Sequence, residues 1–549
     1  MKSIHTISFA LFFLLFMVAC QENETMPTNN ELFEEMVNAL GGQAALQSAN
    51  HIRYNSTGVA FEFQEDPEPV NGKVADYTFT LLYNLDGTQS QQAWHVEAEY
   101  AYATTFTFTE TIDHTNGKST GATGTFPTYF AGFGVQGDPM FSTKLAARQK
   151  TLMMSSPLAM AKLILANNSE KGTTYGTVKT NFNTSSLGFG GTTPDIELVV
   201  NTSTKLPEKA QVLENDPLLG DVLYEVIYSD WTTINGIQVP QKLEHRLDGN
   251  VIRTETFSNL TINPTFNATD LTVTANDAWP YDATQAQYGH LSSQMHFRTI
   301  MQTFPLDFPV EYVEQTSPLA LPSEPVANDN DAYRVSGDYQ SHYTYAFKVD
   351  GGLLIYDSPI NDRRSAAVLA KIRSSFSTLP IKYVVNSHNH FDHTGGTRGN
   401  LAEGGDLIVG AGTKTFMEGI LQRKSTVVPN PISGLNVNVI GIADSMVIGT
   451  GSEQVNLYTI STLHAEHDDY VVLYKPSTKT LYFNDLVNPG FINIFANMSA
   501  ADQERTIDMA KEVVHFVDAH GLDVQTYHCS HGFTTQDFDF QTVRQLAAM

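Results

Sequence analysis

A run of six residues, His388 to His393, contains four side chains that can bind metal ions. It reads H-N-H-F-D-H, which places three imidazoles and one carboxylate within a single turn of chain. Imidazole nitrogens and carboxylate oxygens are common ligands of zinc and related metals. The chain has 17 His residues in 549 positions, so chance is a poor explanation for three of them here. The run predicts a metal site.

The residues on either side of this run suit such a site. Upstream, Ile381 to Val385 is a short apolar, β-branched segment, typical of a buried strand that ends just before the run. Downstream, Gly395 and Gly396 allow the backbone to turn tightly. A merely polar, solvated turn would need neither feature, so we favour ligands presented at the end of a strand.

One turn of chain cannot supply all the ligands of two metal ions, so others must come from further strand ends. The alternating segment Val455 to Thr462 leads to His464, with His467 close behind. The apolar segment Leu481 to Phe483 leads directly to Asp485. We therefore expect both segments to be strands that end at the site.

The last candidates lie near the end of the chain. A helix predicted from about Ala501 to His520 is followed by the cluster H-C-S-H-G at 528 to 532. His528 and His531 are both candidate ligands. Cys529 lies between them and could have a catalytic or metal role, but a lone cysteine is more often a small buried apolar residue.

These motifs, taken in order, resemble the metallo-β-lactamase superfamily over about Asp331 to the end of the chain. The resemblance implies two sheets packed face to face with helices outside. It implies that the first metal is held by His388, His390 and His464, the second by Asp392, His393 and His531, and that Asp485 bridges them. It favours His464 over His467 by its distance from the preceding strand, and His531 over His528 because Gly532 follows it.

The same resemblance implies hydrolysis at a site with two zinc ions. Zinc lowers the pKa of bound water to about 7, and two ions about 3.5 to 4 Å apart can share one hydroxide as nucleophile. Asp392 would also orient the attacking water and accept its proton. A bridging Asp485 resembles the glyoxalase II, lactonase and phosphodiesterase branches more than true β-lactamases. We therefore expect a small-molecule ester, thioester, lactone or phosphodiester as substrate.

Two other functions remain open. A thiol-persulfide dioxygenase with one iron shares much of this ligand set, and iron or manganese could replace zinc. His390 argues against the flavodiiron oxygen reductases, which are similar but carry Glu at that position. A carrier or sensor lipoprotein with a non-catalytic metallo domain is the second alternative, although such a domain has no reason to keep His464, Asp485 and His531.

The first 20 residues have the character of an export signal. Lys2 precedes the apolar segment Phe9 to Val18, and M-V-A-C at 17 to 20 resembles a bacterial lipobox. Cys20 would then be lipidated, with residues 21–30 as a tether. This predicts attachment to the membrane in the cell envelope, on the periplasmic or extracellular face of the outer membrane. A short transmembrane anchor is the alternative.

Charge and composition limit the other partners. The chain has 32 basic and 59 acidic residues, a formal charge of −27, which argues against nucleic-acid binding through phosphate contacts. At 549 residues it should divide into two or three domains.

Residues 31–270 are predicted to form a mainly β domain that begins with one helix from Glu31 to Gln47. A helix at Lys144 to Ala166, with a break at Pro157, interrupts a series of strand-like segments separated by Gly, Asn and Asp turns. The predicted strands are Ile52 to Phe63, Tyr77 to Tyr83, Trp94 to Tyr102, Phe106 to Ile112, Ile196 to Thr202, Val222 to Trp231 and Val239 to Leu247. This pattern predicts a curved antiparallel sheet around a helix.

The same domain weakly resembles the outer-membrane lipoprotein carrier fold in A-L-G-G-Q-A-A-L at 39–46, N-G-I-Q-V-P at 235–240 and I-N-P at 262–264. That resemblance implies a lipid or other hydrophobic ligand, and a docking scaffold is the alternative. Residues 271–330 are predicted to connect this domain to the metallo domain at 331–549. The whole chain is assigned to the α+β class.

Overall fold

The structure is a computed structural model, and all structural statements below concern the residues that it describes. These are residues 29–62, 72–98, 104–115, 118–119, 123–125, 149–167, 177–180, 196–216, 218–273, 323–326, 329–335, 343–359, 361–427, 429–461, 470–493, 495–498, 500–530 and 537–549. None of the helices within these ranges combines the length and the apolar character needed to cross a lipid bilayer.

The N-terminal domain is built on one large antiparallel sheet. Its strands lie in the order β5-β4-β3-β2-β1-β12-β11-β10-β9-β8-β7, with β6 also paired to β4. They are β1 His51–Glu62, β2 Gly72–Asn84, β3 Gln89–Ala98, β4 Thr104–Asp113, β5 Lys118–Ser119, β6 Thr123–Thr125, β7 Thr177–Thr180, β8 Ile196–Val200, β9 Pro207–Asp216, β10 Gly220–Ile234, β11 Ile237–Leu247 and β12 Asn250–Ile262. The predicted antiparallel sheet is confirmed.

A helical segment covers one face of this sheet. It consists of a helical turn at 149–154 and, after a break before Pro157, the helix Pro157–Asn167. Alternate residues of β8 are buried, as expected when one face of a strand meets a core. The Tyr228 hydroxyl donates to the Met154 carbonyl over 2.5 Å, which joins sheet and helical segment. Over residues 149–167 the helix and its break at Pro157 agree with the sequence prediction, and residues 144–148 of the predicted helix lie outside the described residues.

The helical start of this domain differs from the expectation of one continuous helix. Two helices are present, α1 Asn29–Ala39 and α2 Gln43–Ser48. Gly41 and Gly42 separate them with φ angles of 125° and 90°, which residues with a side chain rarely adopt. A Cβ at Gly41 would also lie 2.5 Å from the carbonyl oxygen of Gly236 in the β10–β11 turn. The break lets the chain pass close to the sheet.

The C-terminal domain contains two further sheets. The first has the strand order β13 to β19, and the second β20 to β25. The first comprises β13 Ser323–Val326, β14 Asp329–Val335, β15 Thr344–Val349, β16 Gly352–Tyr356, β17 Ile381–Val385, β18 Asp406–Gly410 and β19 Val439–Ile442. The second comprises β20 Ser445–Ile448, β21 Val455–Ile460, β22 Tyr470–Lys475, β23 Thr480–Tyr482, β24 Thr526–His528 and β25 Phe538–Asp539. The first sheet begins at Ser323, before the predicted domain start at residue 331.

Helices lie outside the two sheets. The helix Pro157–Asn167 of the N-terminal domain is α3. The helices of the C-terminal domain are α4 Asp362–Ser375, α5 Phe391–Thr394, α6 Thr397–Leu401, α7 Lys414–Gln422, α8 Ala500–Ala519 and α9 Phe540–Ala547. One apolar cluster joins the facing sides of the sheets, including Tyr345, Val385 and Leu473. A second packs the outer side of the second sheet against α8 and α9. This layering confirms the predicted α+β class and the sandwich.

Candidate metal centre

The candidate ligands lie where strands from both sheets end. Strands β16 and β17 are parallel, so their carboxyl ends lie side by side at one edge. His388 and His390 follow β17, and Asp485 follows β23 of the other sheet. The amide of Val471 donates to the Ser387 carbonyl over 2.6 Å, which joins β22 to the loop with the histidines. The site therefore sits on two rigid sheets.

Three of these side chains form a compact group of donors. One ligand atom each from His388, His390 and Asp485 lies within 4.8 Å of the other two. The Oδ2 atom of Asp485 is 3.7 Å from His388 Nε2 and 3.6 Å from His393 Nε2. Two ligands of one tetrahedral zinc ion, bonded at about 2.1 Å, lie about 3.4 Å apart. Asp485 Oδ2 is thus about as far from the two imidazole nitrogens as two ligands of one ion are from each other, and the donor types suit a metal ion.

A carboxylate that the sequence analysis missed orients His393. Asp357 is fully buried directly after β16, and its Oδ2 atom lies 2.7 Å from His393 Nδ1. It also accepts hydrogen bonds from the Ser387 amide over 2.8 Å, from the Ser387 hydroxyl over 3.0 Å and from the Asn484 side chain. A carboxylate at Nδ1 holds the proton there and turns Nε2 towards a metal. Its signal in the sequence was an Asp that ends a wholly apolar segment, as Asp485 does.

Further contacts hold His388 and Asp485 in place. The Ser387 hydroxyl lies 2.9 Å from His388 Nδ1, and the Tyr470 ring stacks on the His388 ring with centroids 4.7 Å apart. The Asp485 amide donates to the Tyr470 hydroxyl oxygen over 2.6 Å. Burial and the Asp485 carboxylate raise the pKa of Tyr470 well above its usual value, so it remains a neutral phenol.

The remaining predicted ligands cannot be placed in this geometry. Residues 462–469, with His464 and His467, and residues 531–536, with His531, lie outside the described residues, as does Cys20. The backbone of Asp392 is described within α5, but its side chain is not. Their roles as ligands stay predictions.

His528, the alternative to His531, lies in an aromatic part of the core. Its ring stacks on Tyr482 with centroids 4.8 Å apart and meets Tyr345 edge-on. Burial lowers its pKa to about 3, so it is neutral at ordinary pH. Cys529 is also buried, and burial raises the pKa of its thiol well above the usual value. These environments suit packing roles for both residues and disfavour a reactive thiolate.

The N-terminal domain also has a cavity between its helical segment and sheet. The cavity has a volume of about 20 Å³, and Tyr54, Leu81, Leu152, Leu158 and Phe257 are among the residues around it. This volume holds a water molecule but not an acyl chain. The lipid ligand predicted for this domain stays a prediction.

Residues 337–515 match the family described as the metallo-β-lactamase superfamily. Comparison with curated proteins gives no match. The range 337–515 contains His388, His390, His393, Asp357 and Asp485, whose geometry is described above.

Solved structures with similarity to the chain have low identity. Rubredoxin oxygen:oxidoreductase from Desulfovibrio gigas is 14% identical with a TM-score of 0.32, over 41% of this chain and 61% of its own. A metallo-β-lactamase from Pontibacter korlensis is 15% identical with a TM-score of 0.30, over 42% and 97%. TMB-1 is 14% identical with a TM-score of 0.29, over 42% and 95%. The assignment therefore depends on the family match, and residues 337–515 of this chain form a metallo-β-lactamase superfamily domain.

Proposed function

We propose that the C-terminal domain is a metal-dependent hydrolase. The observation that carries this proposal is the convergence of His388, His390 and Asp485 from the ends of two sheets, with ligand atoms within 4.8 Å of one another. Both histidines are 3% exposed, whereas the Asp485 side chain is 13% exposed. Buried imidazoles beside a partly accessible carboxylate suit a site that holds metal and still admits a small molecule.

The donor set fits zinc, with iron and manganese as other candidates. His388, His390 and His464 would hold one ion, Asp392, His393 and His531 a second, and Asp485 would lie between them. Such ions polarise a substrate oxygen and make water more acidic. Asp357 supports this assignment, because it keeps the proton of His393 on Nδ1 and leaves Nε2 facing Asp485.

The chain's own residues would then position the substrate and handle the proton. Asp392 is proposed to orient the attacking water and accept its proton, in line with the motif H-x-H-x-D-H. The substrate class proposed is an ester, thioester, lactone or phosphodiester, because a bridging carboxylate at Asp485 would resemble the glyoxalase II, lactonase and phosphodiesterase branches. Attachment to the cell envelope through Cys20 is also proposed, with support from residues 1–20 alone.

The test combines metal analysis with a substrate screen on the full chain. His390→Ala removes one ligand, so metal content and hydrolysis of the four substrate types should fall together. The matched control is His520→Ala, because His520 lies just after α8, contacts the Phe516 carbonyl over 2.9 Å and is not among the proposed ligands. The control should keep both metal and activity.

Two outcomes would change this assignment. Unchanged metal content in His390→Ala would refute the ligand role. One iron per chain, together with oxidation of a thiol persulfide and no hydrolysis, would replace the hydrolase with the dioxygenase alternative.

A further inference from the structure

A hairpin of the N-terminal domain contacts the C-terminal domain at α6, the helix that begins at Thr397, shortly after His393. The hairpin joins β9 to β10, and Leu218 and Leu219 in its turn are 3% and 6% exposed. Asp216 shapes the turn, since its Oδ1 atom accepts hydrogen bonds from the Leu218 and Leu219 amides over 2.8 and 2.6 Å. The carbonyl groups of Leu218 and Leu219 accept hydrogen bonds from Arg398 and Arg423 of the other domain.

Arg398 of α6 binds this turn from the other side. It is 3% exposed, and its Nη1 donates to the Leu218 carbonyl over 2.8 Å while Nη2 donates to the Ile420 carbonyl of α7 over 2.6 Å. Burial lowers its pKa, and the carboxylates of Asp362 and Asp216 oppose that shift. A buried guanidinium that keeps its charge needs such partners, so this contact between the domains is specific.

A second set of bonds holds the same hairpin against the chain after α7. The Asp221 carboxylate accepts hydrogen bonds from the Thr426 and Val427 amides over 2.8 and 3.1 Å. The Asp221 amide in turn donates to the Lys424 carbonyl over 2.8 Å. Gly220 has a φ of 75°, and a Cβ there would overlap the Lys424 carbonyl oxygen. The two domains fit together closely at this point.

On its other side, α6 is bonded to the loop that carries the histidines. The Thr397 hydroxyl donates to the Thr394 carbonyl over 2.6 Å and accepts from the Asn386 side chain over 2.9 Å. The Thr394 hydroxyl lies 2.8 Å from the His390 carbonyl and 3.1 Å from that of Asn389. Helix α6 thus connects the hairpin turn to the backbone on both sides of His388 and His390.

We infer that the β9–β10 hairpin of the N-terminal domain is a structural part of the metal centre, and that Arg398 is the positioning residue through which it acts. This inference rests on the proposed function, because it concerns the metal affinity of the same site. The hairpin fixes α6, and α6 fixes the loop that presents His388 and His390. Residues that orient metal ligands typically change metal affinity by about 10 to 100-fold when replaced.

The test measures zinc affinity of the full-length protein by competition with a chelator, with thermal unfolding as the measure of folding. Gly220→Ala forces the hairpin away from Lys424 and should weaken zinc binding by about tenfold. The matched control is Gly236→Ala at the opposite end of β10, where φ is 81° and a Cβ would meet nothing within 4 Å. The control has the same backbone strain and should keep its zinc affinity.

A double-mutant cycle then tests the route through Arg398. Arg398→Met should also weaken zinc binding by about tenfold, and the double variant should lose little more than either single variant, because both break one connection. If Gly220→Ala does not fold, Asp221→Ala replaces it, with a loss in the same direction.

Equal zinc affinity in Gly220→Ala and Gly236→Ala overturns the inference, as does unchanged affinity in the replacement variant. If the wild-type chain binds zinc and only Arg398→Met lowers the zinc affinity, Arg398 acts within its own domain and the role of the hairpin is refuted. If the wild-type chain binds no metal, the proposed function itself fails and the inference falls with it.

Discussion

The Asp357→Asn variant offers the sharpest test of how the metal centre is supported. Asn has nearly the same size, and it tolerates the left-handed backbone at this position, where φ is 66°. The Asp357 carboxylate accepts hydrogen bonds from Ser387, His393 and Asn484, so every group that faces it is a donor. The Asn side chain has only one acceptor oxygen for these donors. Its NH₂ group must face a donor and cannot accept a hydrogen bond from it.

The expected consequence is a change of tautomer at His393. With an NH₂ group 2.7 Å from Nδ1, the imidazole gains a hydrogen bond by moving its proton to Nε2. Nε2 then carries hydrogen where it faces Asp485 at 3.6 Å, and it cannot bind metal. Loss of such an orienting partner lowers metal affinity by about 10 to 100-fold, equal to about 1.4 to 2.7 kcal/mol.

The folded state should also lose stability. A hydrogen bond to a charged group contributes about 1.5 to 3 kcal/mol, and the variant weakens at least two of them. The unfolding free energy of the metal-free protein should therefore fall by about 3 kcal/mol or more.

The assay is zinc affinity by chelator competition, with urea unfolding of the metal-free protein alongside. The matched control is Asp329→Asn, which removes another buried carboxylate of the same domain, one that pairs with Lys475 over 2.9 Å. Both variants should lose stability, and only Asp357→Asn should lose zinc affinity. Unchanged zinc affinity in Asp357→Asn would refute the account of His393.

Two further predictions concern the unplaced ligand and the pH dependence of folding. His464→Ala should lose metal or nearly all activity, while His467→Ala should lose no more than about 10 to 100-fold, and the reverse ranking in metal analysis would show that His467 is the ligand. His114 is fully buried with Nε2 3.1 Å from the Ser90 hydroxyl, and burial lowers its pKa to about 3. Because the unfolded chain takes up this proton below about pH 6.5 and the folded chain does not, stability should fall as the pH is lowered, by about 1.6 kcal/mol between pH 6.5 and pH 5. His114→Gln should remove that part of the pH dependence in urea unfolding, and identical slopes for both proteins would contradict it.

The convergence of His388, His390 and Asp485 was predicted from the sequence because its signals are local. His388 and His390 follow shortly after the end of β17 at Val385, and Asp485 follows shortly after the end of β23 at Tyr482. A strand that is buried on both faces must be apolar throughout, so a polar residue at its end stands out against it. Asp357 directly follows the buried, apolar strand β16, so its position carries the same signal of a polar residue at a strand end.

The large N-terminal sheet was predicted less completely. Alternation of apolar and polar residues indicated the strands from Ile52 to Leu247, but β9 and β12 were not foreseen. Both are rich in polar residues, and they owe their strand conformation to pairing with β10 and β1. Pairing partners are set by the sheet, and the local pattern carries little of that information.

The sequence by itself determined which side chains are available as metal ligands, since this depends on residue types and their spacing. The tertiary structure alone decided which distant groups meet them. Asp357 reaches His393, and Arg398 reaches Leu218 at a separation of 180 residues. Arg398 shows the difference most clearly, because an arginine in a short helix has no distinctive pattern of its own. Its role depends on the burial and the carbonyl groups that two domains provide together.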